Sequence, residues 1–248
     1  MSNVAACPVF LPERGLSGRA CGSKGFSMIE VLIALVILLV GLLGLAGLLV
    51  QSQRSEMESY QRMQAMILLQ DMASRINANR KAAVCYAFTS TATTAATSPY
   101  LGTASTLAPA ATVPAGALPA GCAVPSLQAA YPSLTPTAAA SAVALALNDL
   151  NVWHNLLLGS GETAAGVGNV GAMTSARGCI TYDPTQELTN LNTGLKMPGT
   201  GVYYVSVAWQ GLGDTAANTT FLCGRGQYGA SDAARRVVSS GVRIANLN

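Results

Sequence analysis

The chain has 248 residues, of which half are apolar and only 10% are charged. That charged fraction is less than half of the roughly 25% found in typical soluble domains. The formal net charge is +3, and three of the 14 basic residues fall within positions 1–25. The composition excludes a disordered polyelectrolyte and offers no polybasic surface, so a nucleic-acid partner is not expected.

One segment near the amino terminus is apolar enough to cross a membrane. Residues 31–50 carry no charge and consist of Leu, Val, Ile, Ala and Gly. As a helix that rises about 1.5 Å per residue, this run spans about 30 Å, which is the hydrocarbon thickness of a bilayer. Because Arg14, Arg19 and Lys24 precede the run, the positive-inside rule predicts a cytoplasmic amino terminus.

Three simpler interpretations of this segment fail at identifiable residues. A secretory signal peptide has an apolar core of roughly 7–15 residues and a small-residue cleavage site, whereas this run continues into Gln51 without such a site. A lipoprotein signal places its cysteine after the apolar stretch, but Cys21 lies before it. A plain anchor fits the length and orientation but leaves Glu30 unexplained, since a carboxylate beside hydrocarbon is costly and usually functional.

The residues around Glu30 carry a family resemblance. Residues 24–34 read Lys-Gly-Phe-Ser-Met-Ile-Glu-Val-Leu-Ile-Ala, which closely resembles the cleavage and assembly signal of type IV prepilins and pseudopilins. In that family a membrane peptidase cuts after the glycine, here Gly25, and the new terminal residue, here Phe26, is N-methylated. The resemblance also implies that Glu30 pairs with the terminal amine of a neighbouring subunit.

This implied pairing agrees with elementary electrostatics. When apolar helices pack into a filament core, a carboxylate buried among them needs a cation close by. A methylated terminal amine supplies that cation. The expected organisation is therefore a leader over residues 1–25 and a membrane-spanning segment over residues 26–50 that also serves subunit assembly.

The membrane helix is predicted to continue beyond the bilayer. Residues 51–81 contain no Pro or Gly and are rich in good helix formers. Apolar side chains recur there at spacings of three and four, which predicts one buried face. The helix is expected over residues 26–81, and the members of its buried face are Ala65, Leu68, Leu69, Met72 and Ile76.

An uncharged connection and a second helix are predicted next. Residues 82–135 are dominated by Ala, Thr, Ser, Pro and Gly, and such low-complexity sequence has too few large side chains to pack a core. It is therefore interpreted as a long surface connection that is partly ordered by a crosslink, with a stalk-like or O-glycosylated segment as the alternative. Thr135 as N-cap and Pro136 at the first helical position predict a helix over residues 136–158, which Gly159 ends.

The last third of the chain is predicted to form an antiparallel sheet. Its four candidate strands are residues 178–182, 202–210, 219–223 and 235–244. In the clearest strand, Tyr203, Val205, Val207 and Trp209 alternate onto one face. The expected fold class is α+β, with the long amino-terminal helix packed on a carboxy-terminal sheet in a head over residues 136–248.

A short element in the head extends the family resemblance. Asp149, Leu150 and Trp153 form a motif that is similar to the Asp-Leu-x-x-Trp element of the minor pilin group PilV. The segment 207–210 also resembles that group's sheet. From the residues alone, Asp149 is expected to be a capping or surface carboxylate and Trp153 a core aromatic, with no catalytic role for either.

Four cysteines remain once the leader, with its Cys7 and Cys21, is removed. On the far side of the membrane they lie in an oxidising compartment, where an even number suggests two disulfides with three possible connectivities. The pairs Cys85–Cys122 and Cys179–Cys223 are favoured, because the first ties the connection to the helix end and the second staples two strands. A zinc site is the alternative, but the sequence has no Cys-x-x-Cys pair.

Catalytic signatures are scarce, and no enzyme, cofactor or metal is expected. His154 is the single histidine, so histidine-based triads and metal hydrolase sites lack their usual members. The family resemblance implies instead a minor pilin that primes and modifies type IV pilus assembly, with roles in twitching motility and adhesion. It would reside in the bacterial inner membrane, with its head in the periplasm, and then in the surface pilus.

The resemblance also implies a set of partners. These are other minor pilins, the major pilin, the prepilin peptidase, the inner-membrane assembly platform and a large tip adhesin. Three other functions remain open at this stage. They are a pseudopilin of type II secretion, a DNA-uptake pilin, and a membrane-anchored periplasmic enzyme or binding protein.

Overall fold

The computed structural model describes residues 25–89, 99–105, 118–166, 168–169, 171, 173–216 and 218–244. Residues 1–24 of the predicted leader, with Cys7 and Cys21, lie outside the described residues, as does much of the Ala- and Thr-rich connection. The chain divides into two compact units, residues 1–50 and residues 51–248.

Helix α1 (Met28–Ala78) begins in the first unit and ends in the second. At its start, the carbonyl of Ser27 accepts hydrogen bonds from the backbone N–H of Glu30 at 3.0 Å and of Val31 at 3.3 Å. A 3₁₀ helix (Arg80–Tyr86) follows its end. Helix α1 is thus slightly shorter at both ends than the predicted span.

The amphipathic half of α1 buries the face that its sequence predicts. Ala65, Leu69, Met72 and Ile76 are buried, and Leu68 is partly buried against the same core. Their spacing of three and four residues places them on one side of the helix. This prediction is confirmed.

Two further helices cover the same core. Helix α2 (Val124–Ala130) is short, and α3 (Pro136–Leu157) begins where predicted, with the Thr135 hydroxyl accepting from the backbone N–H of Ala138 at 3.3 Å. The buried face of α3 is centred on Ala146, Leu150, Trp153 and Leu157, whereas Val143 and Leu147 are only partly buried.

The second unit contains a four-stranded antiparallel sheet. Its strands are β1 (Leu101–Gly102), β4 (Arg177–Asp183), β5 (Val202–Gln210) and β6 (Arg235–Arg243), in that spatial order. A separate hairpin pairs β2 (Thr163–Ala164) with β3 (Gly168–Asn169). The long helix and the sheet together confirm the predicted α+β class.

Strand β5 shows why the sheet packs as it does. Tyr203, Val205, Val207 and Trp209 all enter the main core, as their alternation predicts. On the opposite face, Ala208 joins a smaller cluster in which the disulfide between Cys179 and Cys223 lies beside Tyr100 and Tyr228. Both faces of β5 are therefore covered.

The prediction of a strand at residues 219–223 is wrong. Residues 219–223 form turns and irregular backbone, and β5 pairs directly with β6. The side chain of Asn218 accepts from the backbone N–H groups of Thr220 at 2.9 Å and Phe221 at 3.0 Å, which folds the segment into a turn. Arg235 donates to the carbonyls of Phe221 and Cys223 and so replaces a ladder partner.

The described parts of residues 82–135 contribute more to the core than a surface connection ordered by a crosslink would. Tyr86, Leu101, Cys122 and Leu127 are buried in the main core. Strand β1, which adds an edge to the sheet, comes from the same stretch. A few large side chains among many small ones are enough to anchor it, which composition alone does not reveal.

Candidate assembly segment and helix anchor

The predicted cleavage site lies in accessible, irregular backbone. Gly25 and Phe26 precede the first helical residue of α1, and the Phe26 side chain is 83% exposed. A peptidase must bind its substrate backbone in an extended form, and a bond inside a hydrogen-bonded helix does not offer one. The geometry is thus compatible with cutting between these two residues.

Glu30 occupies the first turn of α1. The helix dipole places partial positive charge at this end, which favours an acidic side chain there. Within the described part of the chain, Glu30 is exposed and belongs to none of the four ion pairs. Its carboxylate has no cationic partner among the residues that the structure describes.

The rest of the first unit presents an uncovered apolar surface. All described residues up to Val50 are exposed, and most are large aliphatic side chains. Helix α1 is long and apolar enough to cross a membrane. Monomeric soluble proteins rarely expose apolar patches beyond a few hundred Å², so this surface requires a bilayer or other helices to cover it.

In the second unit, Asp149 anchors the amphipathic half of α1. Its side chain accepts from Arg75 Nη1 on α1 at 2.8 Å and from the Tyr86 hydroxyl at 2.6 Å. Asp149 is only 5% exposed. The expectation of a surface or capping carboxylate is therefore wrong, because Asp149 is a buried partner of a cation and a phenol.

The groups around Asp149 are held in the protonation states that it needs. Hydrogen bonding to Asp71 raises the pKa of Arg75, burial opposes this, and hydrogen bonding to Asp149 raises it again. Burial raises the pKa of Tyr86, and its hydrogen bond to Asp149 raises it further. Arg75 therefore stays charged and Tyr86 stays a hydrogen-bond donor, which are the states that Asp149 needs.

Trp153 makes a second link to α1. Its indole Nε1 donates to the backbone carbonyl of Leu68 at 3.0 Å, and the side chain is fully buried as expected for a core aromatic. The ring lies against Gly178 of β4, where an added Cβ would come within 2.4 Å of it. Together with Leu150 in the core, the motif residues Asp149 and Trp153 hold helix, helix and sheet together.

Two family descriptions match consecutive parts of the chain. Residues 21–46 match the prokaryotic N-terminal methylation motif, which includes Gly25, Phe26 and Glu30. Residues 47–113 match the type IV pilin Tt1218. These two matches, which together cover residues 21–113, support a type IV pilin. Comparison with curated proteins and with solved structures gives no significant match.

Family membership fits the structural features of this pilin. The methylation signal and the apolar half of α1 fit a pilin that is anchored in the inner membrane. Pilins assemble with other pilins after processing by a prepilin peptidase, and their role is structural rather than enzymatic. Among the described residues of the pilin, no three His, Cys, Asp or Glu side chains form a group that could hold a metal ion.

Both favoured disulfides are present in the pilin. Cys85 and Cys122 are joined with their Cα atoms 4.7 Å apart, and Cys179 and Cys223 with theirs 5.7 Å apart. The first ties the 3₁₀ helix after α1 to the described end of the connection. The second joins β4 to the connection between β5 and β6 rather than to another strand.

Other buried polar groups of the pilin were not predicted from the sequence. The guanidinium carbon of Arg177 lies 5.3 Å from the ring centroid of Tyr100 and 4.8 Å from that of Tyr228, so two aromatic rings hold this cation. His154 Nδ1 accepts from the backbone N–H of Gly102 at 3.0 Å and thereby links α3 to β1. Gly178, which follows Arg177 inside a strand pattern, was the available signal that another group approaches this backbone closely.

Proposed function

We propose that this pilin is a minor pilin of the PilV kind, which primes and modifies type IV pilus assembly and contributes to twitching motility and adhesion. The observation that carries the proposal is the buried Asp149–Leu150–Trp153 motif, which resembles the PilV element and fastens the head to the helix with the prepilin-type signal. Its partners on this proposal are the major pilin, other minor pilins, the assembly platform and a large tip adhesin.

Processing comes first in the proposed mechanism. The prepilin peptidase cuts after Gly25, which creates a terminal amine on Phe26 that is then methylated. The cleaved chain remains in the inner membrane through its apolar helix, with the amino terminus cytoplasmic and the head periplasmic. Cleavage thus converts an uncharged peptide group into a cation at the start of α1.

Assembly then brings that cation to a neighbour's Glu30. In the dry core formed by packed apolar helices, an uncompensated carboxylate costs about 3–5 kcal/mol. The terminal amine of the adjoining subunit removes this cost, so a subunit is retained only in a register that pairs the two groups. The hydrogen bonds of Asp149 and Trp153 to α1 transmit to the head any force on the helix.

Two chemical tests address this mechanism. Mass spectrometry of the mature protein is expected to find N-methylated phenylalanine at position 26 as its first residue, whereas an intact Met1 would contradict processing. Glu30→Gln keeps the side-chain shape and removes the charge, so its incorporation into surface fibres is expected to fall by about 100-fold or more. Glu56→Ala, which changes an exposed acid elsewhere on α1, is the matched control. Normal incorporation of the Glu30 variant would refute the pairing.

The same signal also serves type II secretion pseudopilins and DNA-uptake pilins. Deleting the gene separates these functions from the proposed one. A minor pilin of the PilV kind requires loss of twitching with secretion and DNA uptake intact. A secretion or uptake defect with normal twitching would reassign the chain.

A further inference from the structure

A cavity of about 270 Å³ lies in the second unit beside the 3₁₀ helix that follows α1. Its walls come from that helix, from the end of α2, from the end of β4, from the start of β5 and from the segment between these two strands. The assembly mechanism proposed above makes no use of these residues. The cavity nevertheless collects an unusual set of polar groups.

Three tyrosines and one glutamate line the cavity, and two of them are fixed to each other. The Tyr182 hydroxyl donates to Glu187 Oε1 at 2.6 Å and accepts from the backbone N–H of Gly199 at 2.9 Å and of Gly201 at 3.1 Å. Glu187 Oε1 also accepts from Gly199 at 3.2 Å. The second oxygen of Glu187 makes no hydrogen bond to the described residues and is left as an acceptor.

Tyr203 is the least expected member of this set. It is only 1% exposed, its ring centroid lies 4.7 Å from that of Tyr182, and its hydroxyl makes no hydrogen bond to any described residue. Burial raises the pKa of Tyr203, and the nearby Tyr182, Tyr131 and Glu187 raise it further. The hydroxyl therefore remains protonated, and because Tyr203 lines the cavity it can donate a hydrogen bond to a ligand there.

The rim of the cavity carries positive charge. Arg80 and Lys81 both line it, both are exposed, and neither forms an ion pair within the described part of the chain. The Tyr131 hydroxyl likewise has no hydrogen bond to the described residues. The cavity thus offers two free cations and two free phenols beside one free carboxylate oxygen.

We propose that this cavity binds one anionic sugar ring of the hexuronic acid class, either free or at the end of a polysaccharide. The ring hydroxyls would satisfy Tyr203, Tyr131 and the free oxygen of Glu187. The sugar carboxylate would lie at the basic rim, and the apolar C–H face of the ring would pack on the half-buried tyrosines. Cavities for drug-sized ligands begin at about 300 Å³, so a single sugar ring is the appropriate size.

Other ligand classes leave part of this arrangement unused. An apolar ligand would leave the carboxylate and the phenols without hydrogen-bond partners. A simple phosphate would pair with Arg80 and Lys81 but would leave the tyrosine rings uncovered and the Tyr203 hydroxyl without a partner. A neutral sugar would satisfy the hydroxyls but not the two rim cations.

The binding test uses the full chain in detergent micelles and isothermal titration calorimetry. D-glucuronate is expected to bind with Kd of about 1 mM, and D-glucose about fivefold or more weakly. A glucuronate trisaccharide that binds more tightly than the monosaccharide would identify a polysaccharide end as the source, and equal affinity would identify the free sugar. No heat from glucuronate at about 10 mM, or equal affinity for glucose or inorganic phosphate, would overturn the proposal.

Two variants test the residues. Tyr203→Phe removes only the unpartnered hydroxyl and is expected to weaken glucuronate binding about fivefold. The matched control is Tyr204→Phe, because that neighbouring hydroxyl accepts from Gln186 at 2.8 Å and lies outside the cavity. Wild-type affinity in Tyr203→Phe would overturn the role assigned to this residue.

The exposed rim supplies a variant that does not depend on core packing. The double substitution Arg80→Gln and Lys81→Gln is expected to reduce glucuronate affinity to that of glucose, while Arg54→Gln, on an exposed part of α1, leaves it unchanged. A double variant that still prefers glucuronate would refute the carboxylate position. This assay requires no pilus, so its failure leaves the proposed assembly function intact, and the reverse also holds.

Discussion

Replacing Asp149 by alanine is expected to destabilise the second unit by about 1–4 kcal/mol. The substitution removes the acceptor of both Arg75 and Tyr86, which lie 2.8 Å and 2.6 Å from its carboxylate oxygens. Both contacts join segments that are distant in sequence. Their loss therefore weakens the attachment of α1 to α3 and to the 3₁₀ helix.

The magnitude follows from what each partner loses. The Tyr86 hydroxyl is buried, and a buried donor left without an acceptor costs about 1–3 kcal/mol. The Arg75 side chain is 27% exposed and keeps Asp71 as a partner. Loss of its ion pair with Asp149 is therefore expected to cost at most about 1 kcal/mol, which is the value for a surface ion pair. The figure of 3–5 kcal/mol for a fully buried ion pair is an upper bound here.

Unfolding of this unit has a convenient spectroscopic reporter. The only two tryptophans, Trp153 and Trp209, are both buried in its core. Urea and thermal unfolding of the full chain in detergent, followed by tryptophan fluorescence, measure the change. For a unit of this size, 3 kcal/mol corresponds to a drop in Tm of about 6–12 °C.

A double-mutant cycle with Tyr86→Phe measures the interaction between Asp149 and Tyr86 separately from their other contacts. Asp149 and Tyr86 share one hydrogen bond, and each single substitution already removes it. The destabilisation of the double variant is therefore expected to be smaller than the sum for the two single variants by at least about 1 kcal/mol. Asp149→Asn, which keeps an acceptor but removes the charge, is expected to cost less than Asp149→Ala. Additive effects of Asp149→Ala and Tyr86→Phe, or an Asp149→Ala variant within about 0.5 kcal/mol of wild type, would refute the anchor.

Three other features of the second unit give further predictions. Gly178→Ala is expected to cost about 1–3 kcal/mol in thermal unfolding, because its Cβ would lie 2.4 Å from the Trp153 ring. Replacing Cys179 and Cys223 by serine opens a disulfide with a sequence separation of 44, and urea unfolding is expected to show a loss of about 4 kcal/mol. Burial and a hydrogen bond to a glutamate raise the pKa of Tyr182 to about 12 from its usual 10. Its contribution to stability is therefore complete below pH 10 and is lost as the pH rises from 10 to 12, which unfolding curves across this range measure.

Controls for these three changes are available in the same chain. Gly213→Ala places a Cβ in open space at ordinary backbone angles, so an equal loss there would contradict the steric argument. The cysteine pair is compared with the wild type under reducing conditions, where the difference should vanish. Tyr182→Phe should remove part of the alkaline sensitivity between pH 10 and 12, and an unchanged profile would contradict the assignment.

The features predicted correctly from the sequence are the ones encoded locally. The buried face of α1, the Thr135 cap and the alternation along β5 each depend on residues a few positions apart. The prepilin-type signal spans only residues 24–34 and is equally local. Periodicity and short motifs carry this information because the side chains that meet are near neighbours in the chain.

The features that were predicted wrongly from the sequence depend on contacts between residues that are distant in the chain. Asp149 is of a residue type that usually lies at the surface. Only its hydrogen bonds to Arg75 and Tyr86, which are 74 and 63 positions away, show that it is a buried partner. Residues 219–223 have a plausible strand pattern, but Arg235 and Asn218 satisfy their backbone groups instead. The alternation of apolar and polar residues does not show whether side chains or a neighbouring strand will satisfy the backbone groups.

The candidate sites differ for the same reason. The predicted assembly segment is contiguous, so Gly25, Phe26 and Glu30 can be proposed from the sequence alone. The tyrosine cavity draws its members from the 3₁₀ helix, α2, β5 and the segment before β5, and no motif joins them. Its members become recognisable as a group only when the fold brings an unpartnered phenol, a half-used carboxylate and two free cations together.

One helix thus carries two kinds of apolar surface with different requirements. From residue 65 onwards, α1 buries Ala65, Leu69, Met72 and Ile76 against groups of its own chain, so changes there act on stability. Up to Val50 the same helix is exposed throughout, so the free energy of covering it comes only from a bilayer or from other subunits. On the proposed pairing, the carboxylate of Glu30 at the start of this surface is compensated through association of subunits and not through folding.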